Sequence, residues 1–163
     1  MRLTQRTDYT LRVLMYCAAC EGRAQLPKIS EIAEAHNISR SHVMKIVMDL
    51  AGIGWLETIR GRGGGLRLLR APASLSLGEI VRQTETDMNI VECFDKNLNS
   101  CRLDGFCRLK GILKNASRDF IQSLNAYTLA DLLNPTSAAR GFKGQQPHLI
   151  PLKNNDTAEL RVG

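Results

Sequence analysis

The stretch Trp55-Leu-Glu-Thr-Ile-Arg-Gly-Arg-Gly-Gly-Gly-Leu-Arg-Leu-Leu-Arg70 leaves this chain few folds to choose from. Two short β-prone runs flank Arg60-Gly61-Arg62-Gly63-Gly64-Gly65. Glycines there permit positive φ and close backbone approach, so the two runs fold back as a hairpin with arginines at its tip. A glycine-rich turn can also cradle nucleotide phosphates. That use needs a Lys-Ser/Thr pair leading into a helix, and here neither follows.

What precedes the hairpin gives it a meaning. Leu3 to about Glu21 reads as a helix with Leu11, Leu14, Met15 and Ala18 inward, and Gly22 stops it. A second helix runs from about Lys28 to His36 with Ile29, Ile32 and Ala33 as its apolar face. Asn37 tolerates a left-handed turn, and Ser39 can cap a third helix, Arg40 to Ala51, which places Val43, Ile46, Val47 and Leu50 inward. Two short helices joined by a tight turn form either an ordinary helical hairpin or a helix-turn-helix. The basic hairpin directly behind them decides for a winged helix-turn-helix. Its third helix would enter the major groove of double-stranded DNA with Ser39, Arg40, Ser41, His42 and Lys45. The wing would reach phosphate or minor groove with Arg60, Arg62 and Arg67.

The charge distribution agrees. The chain carries a net charge of +6, and residues 39–70 hold six basic side chains against Asp49 and Glu57. Residues 71–133 hold seven basic and eight acidic groups. A basic module followed by a near-neutral one suggests a DNA-contacting part and a sensing part. The strongest apolar run, Val13 to Cys20, is far below the ~20 residues that span a bilayer. Polar residues Thr4 to Asp8 stand where a secretion signal needs an apolar core. The expectation is a cytoplasmic protein without a membrane partner.

Pro72 breaks the chain after the wing. Ser76 then caps a short helix with Leu77, Ile80 and Val81 on one face, and Glu79 stands at capping-box spacing. Three of the five cysteines, Cys93, Cys101 and Cys107, follow in the polar segment 91–107. In a reducing compartment such thiols point to metal or redox chemistry, and three soft thiolates on a pliable loop suit an iron–sulfur cluster or zinc with one ligand position left open. Cys17 and Cys20 lie inside the apolar first helix and read as core residues. From about Phe106 to Leu133 an apolar stripe of Leu109, Ile112, Leu113, Ala116, Phe120, Leu124 and Tyr127 predicts a long helix. Its single face suits a homodimer, which in turn suits a palindromic DNA site. The organisation expected is a DNA-binding unit at 1–72, a cluster-binding loop and dimerisation helix at 73–133, and a disordered tail at 134–163. No cysteine has a partner base evident in sequence, so an enzyme is not expected.

Leu3-Thr-Gln-Arg-Thr-Asp-Tyr9, Ile32-Ala-Glu34, Ile38-Ser39, Gly61-Arg-Gly-Gly-Gly-Leu66, Leu77-Gly-Glu-Ile-Val81 and the three-cysteine loop occur in one order and spacing. Together they resemble the winged-helix family of bacterial iron–sulfur-dependent transcription regulators over roughly residues 1–133. The resemblance implies that Cys93, Cys101 and Cys107 ligate an iron–sulfur cluster, either 2Fe–2S or 4Fe–4S. Seven residues separate Cys93 from Cys101, a longer spacing than is usual in the family. One branch places a histidine three residues beyond the last cysteine, where this chain has Lys110. In the nitric-oxide-sensing branch an aspartate from the first helix of the partner subunit completes the cluster, and Asp8 stands in the matching place. Without the resemblance, Asp8 reads as the partner of Arg12 at i,i+4. The resemblance thus implies a homodimeric repressor released from its operator by nitric oxide. An iron- or redox-responsive regulator of the same family, or a zinc-stabilised constitutive DNA-binding protein, stays open.

Overall fold

The computed structural model describes residues 2–133, and the tail expected to be disordered lies outside the described residues. In chain order it contains α1 (Gln5–Ala19), α2 (Ile29–His36), α3 (Arg40–Gly52), β1 (Leu56–Ile59), β2 (Gly65–Leu68), α4 (Leu77–Thr84) and α5 (Arg108–Asn125), with short 3-10 turns at Pro72–Ser74, Glu92–Phe94 and Ala130–Leu132. It is mainly α with a small antiparallel hairpin, as the sequence predicts. No helix among the described residues is long and apolar enough to cross a membrane.

The first three helices begin and end where local chemistry dictates. Thr4 accepts a hydrogen bond from the Thr7 amide at 3.3 Å and so starts α1. Asn37, at φ 52°, closes α2 in the left-handed conformation. Two residues later Ser39 accepts from the His42 amide at 3.3 Å and starts α3. The chain therefore turns between α2 and α3 through Asn37-Ile38-Ser39, with the Ile38 side chain buried beneath the turn.

The wing pairs Leu56 with Leu68, Glu57 with Arg67, Thr58 with Leu66 and Ile59 with Gly65. Leu56 and Leu66 are buried, so one face of the ribbon closes the core. The Leu66 amide also donates to the Pro27 carbonyl at 2.9 Å, which ties the wing to the loop before α2. A methyl group on Gly65 would meet Leu26 Cβ and the Pro27 carbonyl oxygen at 2.7 Å, closer than real contacts allow. That is why this strand begins on glycine.

Helix α1 departs from the expectation of one inward stripe. Val13, Leu14, Tyr16, Cys17 and Ala18 are all buried, while Leu11 and Met15 pack at its margin. The reason is tertiary: α2, α3, α4 and β2 all lie against it. The same core takes in Leu75, Ile80 and Leu129, so α4 and the chain after α5 share it with the winged helix. The Thr7 hydroxyl donates to the Thr84 hydroxyl at 2.9 Å in this interior, and Thr84 passes its own hydrogen to the Ile80 carbonyl at 2.8 Å.

The last helix is shorter than its apolar pattern predicts. It ends at Asn125; Tyr127 lies beyond it, and Thr128 forms an isolated bridge with Ser76. The Leu129 amide donates to the Leu75 carbonyl at 2.8 Å, delivering the Leu129 side chain into the core. Ser76 caps α4 as expected, accepting from the Glu79 amide at 3.1 Å. The Glu79 carboxylate does not complete a capping box; it bonds Arg70 at 2.6 Å. Helix α5 rests on α4, and Gly78 makes the close approach possible, because a methyl group there would overlap the Asn125 side chain and crowd the Ile121 carbonyl oxygen.

Candidate nucleic-acid interface and metal-binding loop

Helix α3 turns Val43, Ile46, Val47 and Leu50 into the core and leaves Arg40, Ser41, His42 and Lys45 exposed, as its spacing predicts. Ser39 is also exposed, but its oxygen is committed to the cap, and it lies 3.2 Å from the Ser41 hydroxyl. The His42 ring sits 6.1 Å from that of Tyr9 on α1. Asp49, the one acid on α3, is drawn aside to Arg6 of α1 at 2.9 Å. Neither Arg40 nor Lys45 forms an ion pair among the described residues, so the exposed face of α3 keeps its positive charge.

The three wing arginines are not equivalent. Arg60 and Arg62 stand exposed at the turn without an ion pair among the described residues. Arg67 sits directly across the ribbon from Glu57 and pairs with it at 3.2 Å. Cross-strand pairing thus offsets the charge of Arg67, and the tip carries what remains. Arg70, counted with the basic segment, is structural. It bonds Glu79 and the Ser74 carbonyl, and its guanidinium lies 5.9 Å from the Trp55 ring centre.

The cysteine loop is shaped by short polar contacts rather than by a core. Asp95 Oδ1 accepts from the Asn97 amide at 2.8 Å, and Asn99 Oδ1 accepts from the Cys101 amide at 3.1 Å. Ser100 Oγ donates to Glu92 at 3.2 Å. Asp104 accepts from Asn99 Nδ2 and from Lys110 Nζ, both at 2.5 Å, and so fastens the loop to the first turn of α5. The bond from Lys110 holds the Asp104 carboxyl below its ordinary range, and the same bond raises the Lys110 ammonium. A lysine held protonated has no lone pair to give a metal.

Cys93, Cys101 and Cys107 are free and half-buried, with Cys107 immediately before α5. Among the described residues, no three His, Cys, Asp or Glu side chains converge closely enough to hold a metal ion. The donor set nonetheless has the right chemistry for an iron–sulfur cluster: three thiols on one loop, none committed to a disulfide. Asp8 lies on α1 and chelates Arg12 of its own chain, at 3.2 Å and 2.7 Å. Within one chain it therefore takes the i,i+4 pairing. Arg12 also lies 5.7 Å from the Tyr9 ring centre.

Cys17 and Cys20 are buried, as their helix predicts. Burial pushes the Cys17 thiol up to about 12, far from the range of a reactive thiolate. Cys20 is raised by burial too, although Arg23 Nη1 lies 3.2 Å from its sulfur. Sequence reasoning did not anticipate the cluster around them. Tyr16 donates to Glu31 at 2.7 Å, Arg23 reaches the same carboxylate oxygen at 3.0 Å, and His36 packs edge-on against Tyr16. Burial alone pushes Glu31 up, but the bonds from Tyr16 and Arg23 outweigh it and hold the carboxyl below its usual range.

Helix α5 contains no buried residue. Leu109 and Ile112 are 59% and 62% exposed, and Phe106 just before the helix is 92% exposed. These apolar side chains have no cover within the described part of the chain.

Comparison with known proteins bears on both regions. Residues 3–135 match the Rrf2 family model, described as an iron-dependent transcriptional regulator. The chain is 49% identical over 133 residues to the HTH-type transcriptional regulator NsrR of Bacillus subtilis, covering 82% of this chain and 90% of that protein. It is 44% identical over 133 residues to the regulator of the same name from Bacillus licheniformis, covering 82% and 92%. The solved structure of IscR from T. potens superposes with a TM-score of 0.68 at 22% identity, covering 88% of this chain and 94% of that one.

Proposed function

This chain belongs to the Rrf2 family of transcriptional regulators, and on that premise we propose that it is a cytoplasmic, homodimeric repressor that senses nitric oxide. One observation carries the proposal: three free, half-exposed thiols lie on a single loop immediately before a helix whose apolar face nothing among the described residues covers. A second copy of the chain is the simplest cover for that face, and pairing two winged helices matches a palindromic operator.

In this reading residues 1–72 read DNA and residues 73–133 bind the cluster and dimerise. Ser41, His42, Arg40 and Lys45 meet the major groove from the exposed end of α3, with Ser39 fixing the start of that helix. Arg60 and Arg62 hold phosphate at the wing tip, and Arg67 contributes less because Glu57 shares its charge. Cys93, Cys101 and Cys107 hold the cluster. The partner subunit's Asp8 supplies the remaining ligand by leaving Arg12, an exposed pair that costs little to part. A cluster held by these residues would supply iron able to react with nitric oxide. Lys110, tied to Asp104, fills the position of the histidine expected in the other branch, and this supports the nitric-oxide reading.

Anaerobic purification with a visible spectrum and iron and sulfide counts tests the cofactor. Titration with nitric oxide, followed by operator binding, tests the signal. Cys93→Ala, Cys101→Ala and Cys107→Ala are each expected to lose the cluster absorbance and operator binding together. Zinc in place of iron and sulfide, or full DNA binding by those variants, overturns the proposal. A cluster whose DNA binding answers to iron supply or oxidants but not nitric oxide moves the chain to the iron- or redox-responsive branch.

A further inference from the structure

The face of α3 opposite the core is not wholly polar. Ser41 lies three and four residues before Met44 and Lys45, and these lie four and three residues before Met48, which places all of them on one side of the helix. Met44 is 48% exposed and Met48 is 68% exposed. Neither belongs to the hydrophobic core, which α3 reaches through Val43, Ile46, Val47 and Leu50. Two unbranched thioethers therefore stand in water beside a lysine. On the same helix Arg40 and Lys45 carry positive charge without ion pairs among the described residues, and Asp49 is held aside by Arg6. An apolar ridge that shares its helix with unpaired cations calls for a ligand that is a polyanion with apolar groups recessed in it.

The DNA major groove has one such group. Every base-pair edge there offers hydrogen-bond donors and acceptors, and thymine alone adds a methyl group. A methionine pressed against a guanine or cytosine edge desolvates polar atoms and gives them no partner, whereas against a thymine methyl it loses nothing. Resting on the reading of α3 as the recognition helix, we infer that Met44 and Met48 are specificity-determining residues that read thymine methyl groups in each operator half-site. Ser41 and Lys45 then supply the polar contacts on the same ridge, and the unbranched methionine side chains adapt to the groove floor.

The test uses the intact protein, purified anaerobically, and duplexes selected from a random pool for tight binding. Each thymine of a selected duplex is replaced in turn by uracil, which deletes only the methyl group and keeps every hydrogen bond. The expected result is one or two positions per half-site at which uracil weakens binding by about fourfold, the value of one buried methyl. Met44→Ala or Met48→Ala is expected to bind thymine and uracil equally at its own position, and Met44→Leu or Met48→Leu to keep the preference. Both sites are exposed, and circular dichroism checks that the variants stay folded. Indifference to uracil at every position, or the same uracil penalty in the alanine variants, overturns the inference while leaving the recognition helix intact. Failure of the wild-type protein to select any duplex removes the recognition-helix reading itself and this inference with it.

Discussion

The winged-helix region and the cysteine region of this molecule are built by opposite means. In the first, α1 and α3 each start on a side-chain cap, and Leu14, Ile32, Val43, Leu50, Leu56 and Leu66 are buried by neighbours from the same chain. In the second, the loop from Glu92 to Cys107 is drawn in by Asx-type turns and one ion pair, and α5 buries no residue at all. One region is completed by its own interactions; the other keeps thiols and an apolar face for something else to complete. The proposed function needs that division, because a part that reads DNA must hold its shape while a part that senses must be able to change state.

The sharpest way to break this comparison is to shorten one aliphatic side chain in each region. Leu14→Ala removes a fully buried side chain and is expected to cost about 3 kcal/mol of unfolding free energy in urea. Ile112→Ala removes a side chain that the described residues leave exposed. It is expected to leave the unfolding of the monomer nearly unchanged and to raise the dimer dissociation constant by about tenfold or more in sedimentation velocity. Equal destabilisation by the two, measured at concentrations where the chain is monomeric, would show that α5 packs on its own core and is not free for a partner.

Gly78 stands at the seam between the regions. Because a methyl group there would overlap Asn125 and crowd the Ile121 carbonyl, Gly78→Ala is expected to cost about 1–3 kcal/mol and to displace α5 from α4. If α5 pairs the subunits as proposed, its displacement alters dimer geometry as well as stability, and operator affinity is expected to fall more than the loss of stability alone accounts for. Thr84→Val is milder. It keeps the volume but removes the buried hydroxyl that receives the Thr7 hydrogen, for an expected loss of about 1 kcal/mol in the same urea measurement.

How much of this was legible in the sequence follows the range of the interactions concerned. The turn at Asn37, the caps at Ser39 and Ser76 and the glycine hairpin are local chemistry, and each stands where the sequence puts it. The end of α5 depends on Thr128 and Leu129 pairing with Ser76 and Leu75, more than fifty residues earlier, and an apolar stripe cannot announce that. The burial of α1 nearly all round likewise reflects elements packed on it from several directions. In the site, Arg67 counts as a free cation until the strand register sets it opposite Glu57. Met44 and Met48 pass for ordinary helix formers until their exposure is known. Asp8 was legible as either an ion-pair partner or a ligand to another chain's cluster, and a single chain contains only the first arrangement.

The smallest effect expected is a pH dependence that belongs to the reading region alone. His36 Nε2 is buried without a hydrogen-bond partner among the described residues, and its ring lies edge-on to Tyr16 at 5.7 Å. Burial lowers its proton affinity, and Arg12 of α1 lowers it further, while Asp8 pulls the other way. A histidine depressed in the folded state binds its proton more readily when the chain unfolds, so its contribution to stability is complete above the unfolded value of 6.5 and is lost as pH falls below it toward the folded value. Urea midpoints are therefore expected to decline between pH 7.5 and pH 5.5 with a slope of at most one proton, and His36→Gln is expected to flatten that slope. The other charges facing this ring are Arg12 and Asp8, so Asp8→Asn with His36 intact is expected to steepen the decline by leaving Arg12 unopposed. If Asp8 leaves Arg12 to serve a partner's cluster, the positive charge near His36 is no longer offset, and the decline is expected to steepen in the cluster-loaded dimer. An unchanged slope on loading would mean that Asp8 keeps Arg12 and that the cluster finds its fourth ligand elsewhere.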